Sequence, residues 1–220
     1  MRIPIALAVL SFSAAWLTAA ADLPNTLSSR EKSEGYILLF NGKDLTGWDG
    51  DPRLWSVRDG TITGSTEGQQ IKHNTFLIYR SEYGNFIMQA DIKLRNHNSG
   101  IQFRSKRQPE WVVTGYQADA SEVGPEKSAW GNLYDEKGRG RALMRSPDEG
   151  WLKAKSIVRQ GDWNHYEIVA DGRHLVLRLN GTETINQEVE TIAPGVIAIQ
   201  LHMGDPMQVQ VRDLKLKVLK

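Results

Sequence analysis

No cysteine occurs anywhere in the chain. That removes disulfides, thiol nucleophiles and cysteine zinc sites together. A membrane span needs about 20 consecutive apolar residues, and no stretch beyond the N-terminal segment provides one. Excess charge is missing as well: 27 Lys and Arg face 26 Asp and Glu. Nucleic acid and anionic membranes both call for a concentrated positive face, so neither is an expected partner. The sequence has no G-x-S-x-G elbow, no H-E-x-x-H pair and no phosphate-binding P-loop. "DGDP" (Asp49–Pro52) lacks the ligand count of a calcium loop, and the histidines are scattered, so no metal or other cofactor is expected.

The N-terminal segment MRIPIALAVLSFSAAWLTAA has one charge, Arg2, then an apolar run, then Ala19, Ala20 and Ala21. This is the layout of an export signal cleaved after small residues, residues 1–21. The run is interrupted by Pro4, Ser11 and Ser13, which argues against a retained anchor. The protein is therefore expected to act in the periplasm or outside the cell, with no membrane insertion after cleavage. Residues 22–34 are polar and charged and read as a flexible leader with little packing. Residues 35–220 then form one domain, which must hold together by its core alone.

Short alternating runs fill that domain. "NFIMQADIKL" puts Phe86, Met88, Ala90, Ile92 and Leu94 on one face. "MQVQVRDLKLKVL" alternates through Val209, Val211, Leu214, Leu216 and Val218 with a slip near Arg212-Asp213. Asp59-Gly60, Asp171-Gly172 and Asn180-Gly181 are hairpin signals, because their residues adopt positive φ cheaply. Asn180-Gly181-Thr182 also matches a glycosylation acceptor but is read as turn chemistry. No stretch holds helical spacing for more than two turns. The expectation is an all-β sandwich or barrel. Only Glu122–Trp151, rich in Gly and charge, breaks the pattern. Trp111, Trp130, Tyr134 and Trp151 lie in or beside it, where aromatic rings are free to stack on a ligand.

Three separated strands have an unusual second face. "NHNSGIQFRS" sets Asn98, Gly100, Gln102 and Arg104 opposite Ile101 and Phe103. "GYQADA" sets Gln117 and Asp119 opposite Tyr116, Ala118 and Ala120. "GVIAIQLHM" sets Gln200 and His202 opposite Ile197, Ile199 and Leu201. An ordinary solvated face is rich in Lys, Glu and Thr, as in "DLKLKVLK". Amides with one ionisable group per strand are instead the side chains that bind sugar hydroxyls. Gly100 leaves the backbone open to close approach.

In order, "LLFNGKDLTGW", "HNSGIQFRS", "GYQADA", "WGNLYDEKGRGR", "GDWNHYEI", "LRLNG" and "IQLHMGDPMQVQVRDLKLK" resemble the 3-keto-disaccharide hydrolase-like family over about Gly35 to Lys220. The resemblance implies a two-sheet jelly-roll sandwich of the concanavalin A-like lectin/glucanase type. It also implies an extracytoplasmic hydrolase of glycosides oxidised at C3, and hence a carbohydrate partner. A 3-keto group acidifies the C2 proton, so a base, an oxyanion stabiliser and a leaving-group acid are required. Asp119 or His202 is expected as base, Arg104 as clamp on the enolate, and Asp135, Glu136 or Tyr134 as acid. Asn98, Gln102, Gln117 and Gln200 are expected to hold hydroxyls, and Trp130 to stack on a ring. Direct hydrolysis by two carboxylates, Asp119 with Asp135 or Glu136, is the neighbouring enzymatic reading. A non-catalytic carbohydrate-binding module and an adhesion sandwich are the alternatives from other classes.

Overall fold

A computed structural model describes residues 23–121, 129–136, 149–190 and 193–220. The expected export signal lies outside the described residues, as do most of the Gly-rich segment and the side chain of Trp151. In chain order the elements begin with α1 (Ser29–Ser33), β1 (Tyr36–Leu38), β2 (Trp48–Asp49), β3 (Trp55–Arg58), β4 (Thr61–Ser65), β5 (Thr75–Tyr83), β6 (Phe86–Arg95) and β7 (Asn98–Gln108). They continue with β8 (Val112–Ser121), β9 (Leu133–Glu136), α2 (Glu149–Ile157), β10 (Asn164–Asp171), β11 (His174–Leu179), β12 (Thr182–Glu188), β13 (Gly195–Leu201) and β14 (Gln208–Val218).

The strands form two antiparallel sheets. The first has the order β12-β11-β10-β6-β14-β4-β3, with β1 also on β14; the second has the order β2-β5-β13-β7-β8-β9. The expected all-β sandwich is what the chain forms. Short α2 is an exception that the sequence reading did not anticipate, and it buries only Ala154 among the described side chains of the helix.

In the first sheet, β6 and β10 alternate strictly between buried and half-buried residues. One face packs the core and the other meets water, as antiparallel sheets allow. The hairpin signals hold where both central residues take positive φ: Asp59 with Gly60 and Asn180 with Gly181. In the β10–β11 hairpin Asp171 pairs with His174, so the two-residue loop is Gly172-Arg173. The slip in β14 is a bulge, with Asp213 at φ 52° and the register shifting between Arg212 and Lys215.

The leader is not loosely packed. Asn25 is buried, donates its side-chain amide to the Gly60 carbonyl at 2.8 Å, and accepts from the Asp213 amide at 3.0 Å. Ser28 and Glu31 form a capping box on α1, and Glu31 pairs with Lys215. At the bulge the Asp213 amide is turned out of the ladder, and Asn25 of the leader satisfies it.

The second sheet behaves differently. Every residue of β13 is buried, as are Ser99 to Ser105 of β7 and Tyr116 to Ser121 of β8. Both faces of this sheet are therefore covered. At one end of its outer face Phe76, Ile78, Val113, Val196 and Ala198 form an apolar cluster of their own, with Trp111 packed against it. The tip of the β7–β8 hairpin folds over this end, and the Phe76 amide donates to the Trp111 carbonyl at 2.8 Å. The other end of the outer face is polar.

Candidate active site

Register determines which side chains meet on the polar end. Gly100 pairs with Asp119 and Gln102 with Gln117. Gln117 pairs in turn with Tyr134, and Gln200 lies beside Gly100 through the Ile199–Ile101 pairing. A cleft of about 220 Å³ opens there, lined by Asn74, Asn98, Gln117, Asp119, Tyr134, Glu136, Gln200 and His202. Seven of these eight are residues whose chemistry the sequence singled out.

An amide relay crosses the floor. Ser105 Oγ donates to Gln102 Oε1 at 2.7 Å, and Gln102 Nε2 donates to Gln117 Oε1 at 2.9 Å. Gln117 Nε2 then donates to Asp119 Oδ1 at 2.7 Å and to Gln200 Oε1 at 3.3 Å. Because its carbonyl is taken by Gln102, Gln117 has only its donor end to turn toward Asp119. A Cβ on Gly100 would stand 2.5 Å from Gln117 Cγ. The open backbone at Gly100 thus admits Gln117 rather than a ligand.

Asp119 is 5% exposed. Burial pushes its carboxyl up to about 7; the Gln117 donor opposes the rise, the charge of Glu136 adds to it, and Asn132 opposes it weakly at 3.5 Å. Behind the strand, Tyr166 O–H donates to the Asp119 carbonyl and accepts from the Gly131 amide. The core tyrosine thereby fixes the backbone that carries the carboxyl. Tyr134 is also raised above the ordinary phenol value, first by burial and then by Glu136, Asp119 and Asp135, so it is a neutral donor.

His202 Nδ1 lies 2.6 Å from the Met203 carbonyl, which can only accept. Nδ1 therefore carries the hydrogen, and in the neutral ring Nε2 keeps its lone pair. The ring stacks on His97 at 4.6 Å. His97 is held below the usual histidine value by burial, then by His202, with Asp205 opposing.

Four expected positions do not line the cleft. Arg104 sits at φ 46° in a bulge where the β7–β8 register shifts between Phe103 and Lys106. The bulge breaks the alternation that would have put it beside Gln102. Its guanidinium instead donates to the Gly84 carbonyl at 2.7 Å, the Gly172 carbonyl at 2.8 Å and Asn85 Oδ1 at 3.0 Å. Trp130 is fully buried and stacks on Tyr166 at 6.3 Å, so its ring belongs to the core. Asp135 pairs with Tyr116 and points to the opposite face from Tyr134 and Glu136. Gln102 lies beneath Gln117 with no exposed surface, where it orients an amide and meets no ligand.

Asn74 is the lining residue the sequence reading missed. Its Oδ1 accepts from the Met203 amide at 3.0 Å, which leaves its NH₂ as the free end. A lone Asn before "TFLIYR" has no periodic signal to mark it. Among the described residues, no group of three or more His, Asp or Glu is placed to hold a metal ion.

A family model described as the 3-keto-alpha-glucoside-1,2-lyase-like domain matches residues 35–217. The chain belongs to this family. A stretch of 100 residues is 31% identical to a 3-keto-disaccharide hydrolase of Bacteroides thetaiotaomicron, covering 41% of this chain and 33% of that relative. The match thus spans about a third of the curated relative's length. A candidate glycosyl hydrolase of Parabacteroides distasonis has the same fold, with a TM-score of 0.67 at 22% identity over 90% of this chain and all of that one. A carbohydrate-binding module from Bacillus subtilis, CBM66, aligns with a TM-score of 0.52 at 14% identity over 74% of this chain and 91% of that one. The family's sandwich is thus shared with proteins named for cleaving sugars and for binding them.

Proposed function

We propose that this domain cleaves glycosides carrying a ketone at C3, outside the cytoplasm, with Asp119 as the base. The observation that carries the reading is a buried carboxyl, raised to about 7, in a cleft of amides with a second carboxylate beside it. A sugar-binding face needs the amides but not a carboxyl tuned to neutral pH. The family's lyase-like description and the name of the curated relative support the choice of substrate.

The chemistry is an elimination followed by hydration. Ionised Asp119 takes the C2 proton, and the C–H electron pair becomes the C2–C3 enolate with charge on the C3 oxygen. The free amide end of Asn74, with the cleft's other donors, stabilises that oxygen in place of the expected arginine. Collapse of the enolate restores the ketone, forms the C1=C2 bond and breaks the bond from C1 to the leaving oxygen. Tyr134, a neutral donor, gives that oxygen its proton. Water then adds across C1=C2, so the sum is glycoside plus water to 3-keto sugar plus alcohol.

Incubation with matched 3-keto and ordinary glycosides in heavy water tests this. Release from the keto forms alone, with deuterium appearing at C2, is the expected result. Release without deuterium would favour direct hydrolysis by Asp119 and Glu136. Saturable binding without release from either series would assign the domain to carbohydrate binding.

A further inference from the structure

A second cleft adjoins the first. It has a volume of about 450 Å³, and its lining includes Gln70, Lys72, His73, Thr75, Glu110 and Trp111. Asn74 lines the small cleft, and its chain neighbours His73 and Thr75 line the large one. The chain at His73–Thr75 therefore runs between the two clefts. The small cleft falls below the roughly 300–1,000 Å³ usual for sites that enclose a ligand of several rings. Whatever is attached to a sugar seated there has to leave it.

Trp111 is the feature of the second cleft that local sequence preference does not explain. Glu110 and Trp111 take φ of 58° and 53° in succession at the hairpin tip. For a bulky side chain this backbone is uncommon; here it is the primed turn that closes the hairpin, with the Val112 amide on the Pro109 carbonyl at 3.3 Å, and further contacts must hold so unfavoured a residue in it. The enforcing contacts are present. The Phe76 amide donates to the Trp111 carbonyl at 2.8 Å, and the indole Nε1 donates to Asp49 Oδ1 at 3.1 Å. Asp49 is in turn paired with Arg107. The indole is thus fixed in direction, packs against the Phe76 cluster, and stays only partly buried where it lines the cleft. Gln70, Lys72 and Glu110 supply polar groups around it. A rigid aromatic surface ringed by hydrogen-bonding groups suits the apolar face of a pyranose and its outward hydroxyls.

We infer that this cleft is a second sugar subsite, in which Trp111 stacks on the ring linked to the reacting one. The inference rests on the proposed function for the direction of the substrate, and it gives the second sugar of a disaccharide, the substrate for which the curated relative is named, a place and an anchoring residue in this chain.

Two measurements test it. The first compares Trp111→Ala and Trp111→Phe with the wild type on a 3-keto disaccharide and a 3-keto methyl glycoside. Trp111→Ala should raise KM for the disaccharide about tenfold, leave the methyl glycoside within twofold, and be largely rescued by Phe. Equal effects on both substrates, or none on either, would overturn the subsite. The second follows the Trp111 indole NH resonance while unoxidised maltose, trehalose, sucrose or cellobiose is added. A saturable shift, matched by saturable heat on calorimetric titration that Trp111→Ala loses, is expected even if no 3-keto glycoside is turned over; the subsite would then stand and the proposed chemistry would fall. Silence from all four sugars alongside an unchanged KM ratio would remove the subsite and leave the chemistry standing.

Discussion

Gln117 donates to the carboxyl of Asp119 at 2.7 Å from a side chain whose own carbonyl is already engaged by Gln102. Burial favours the protonated acid, while this donor favours the carboxylate. The balance near 7 belongs to the pair rather than to Asp119 alone.

Replacing Asp119 with Asn should reduce turnover at least about a hundredfold, the scale of a lost general base. The same change should relieve a stability cost. Burial holds the folded carboxyl up at about 7 against an ordinary aspartate value of 3.8. The native state therefore binds more protons than the unfolded state between these values, and wild-type stability falls as pH rises through that window. Denaturation at a series of pH values should show Asp119→Asn gaining on the wild type by up to about 4 kcal/mol from pH about 4 to about 8, then no further.

The pH dependence of kcat/KM should have an acid limb near 7, because ionised Asp119 is the active form. Gln102→Leu frees the Gln117 amide to turn and weakens its donation, so the limb should move to higher pH. It should also destabilise the fold by about 1–3 kcal/mol, because the buried Gln117 carbonyl loses its donor. A role for Gln102 in packing alone would lower stability and leave the limb where it was.

Arg104→Ala should lower stability by about 3 kcal/mol, since it strips a buried guanidinium from two carbonyls and an amide. Below the new melting temperature, KM should stay within a few-fold of wild type. A large selective rise in KM would return Arg104 to the site.

Trp130→Ala should destabilise by about 3–5 kcal/mol, the cost of a large cavity in the core, and Trp130→Phe by much less. Neither should weaken sugar binding by the folded protein, which calorimetric titration at low temperature would show.

The alternation within "SGIQFR", "GYQADA" and "AIQLHM" was enough to separate a core face from a face of amides, since side chains in a strand point up and down by turns whatever the neighbours are. Asn-Gly and Asp-Gly likewise placed two of the hairpins through local φ preference. The family motifs lay in the same strands. The sequence alone therefore determined the all-β class, the strand faces and the identity of Asp119 as the residue of interest.

Pairing and bulges decided the rest. Alternation assumes an unbroken strand, so it put Arg104 beside Gln102, and one residue at positive φ took it away. It could not rank Glu136 over Asp135, because strand register on β8 chooses between them. Asn74 carries no local signal and reaches the polar face only because β5 lies two strands from β7; Trp111 stood out only as an aromatic beside the Gly-rich segment, and the hairpin tip that folds over the apolar end of the sheet decides where it sits. Even Asp119 owes its raised affinity for a proton to groups that chain separation hides: burial beneath the cleft, Glu136 across the strand, and an amide aimed by a second amide. Local geometry is written residue by residue, whereas a shared environment exists only once distant strands are packed together.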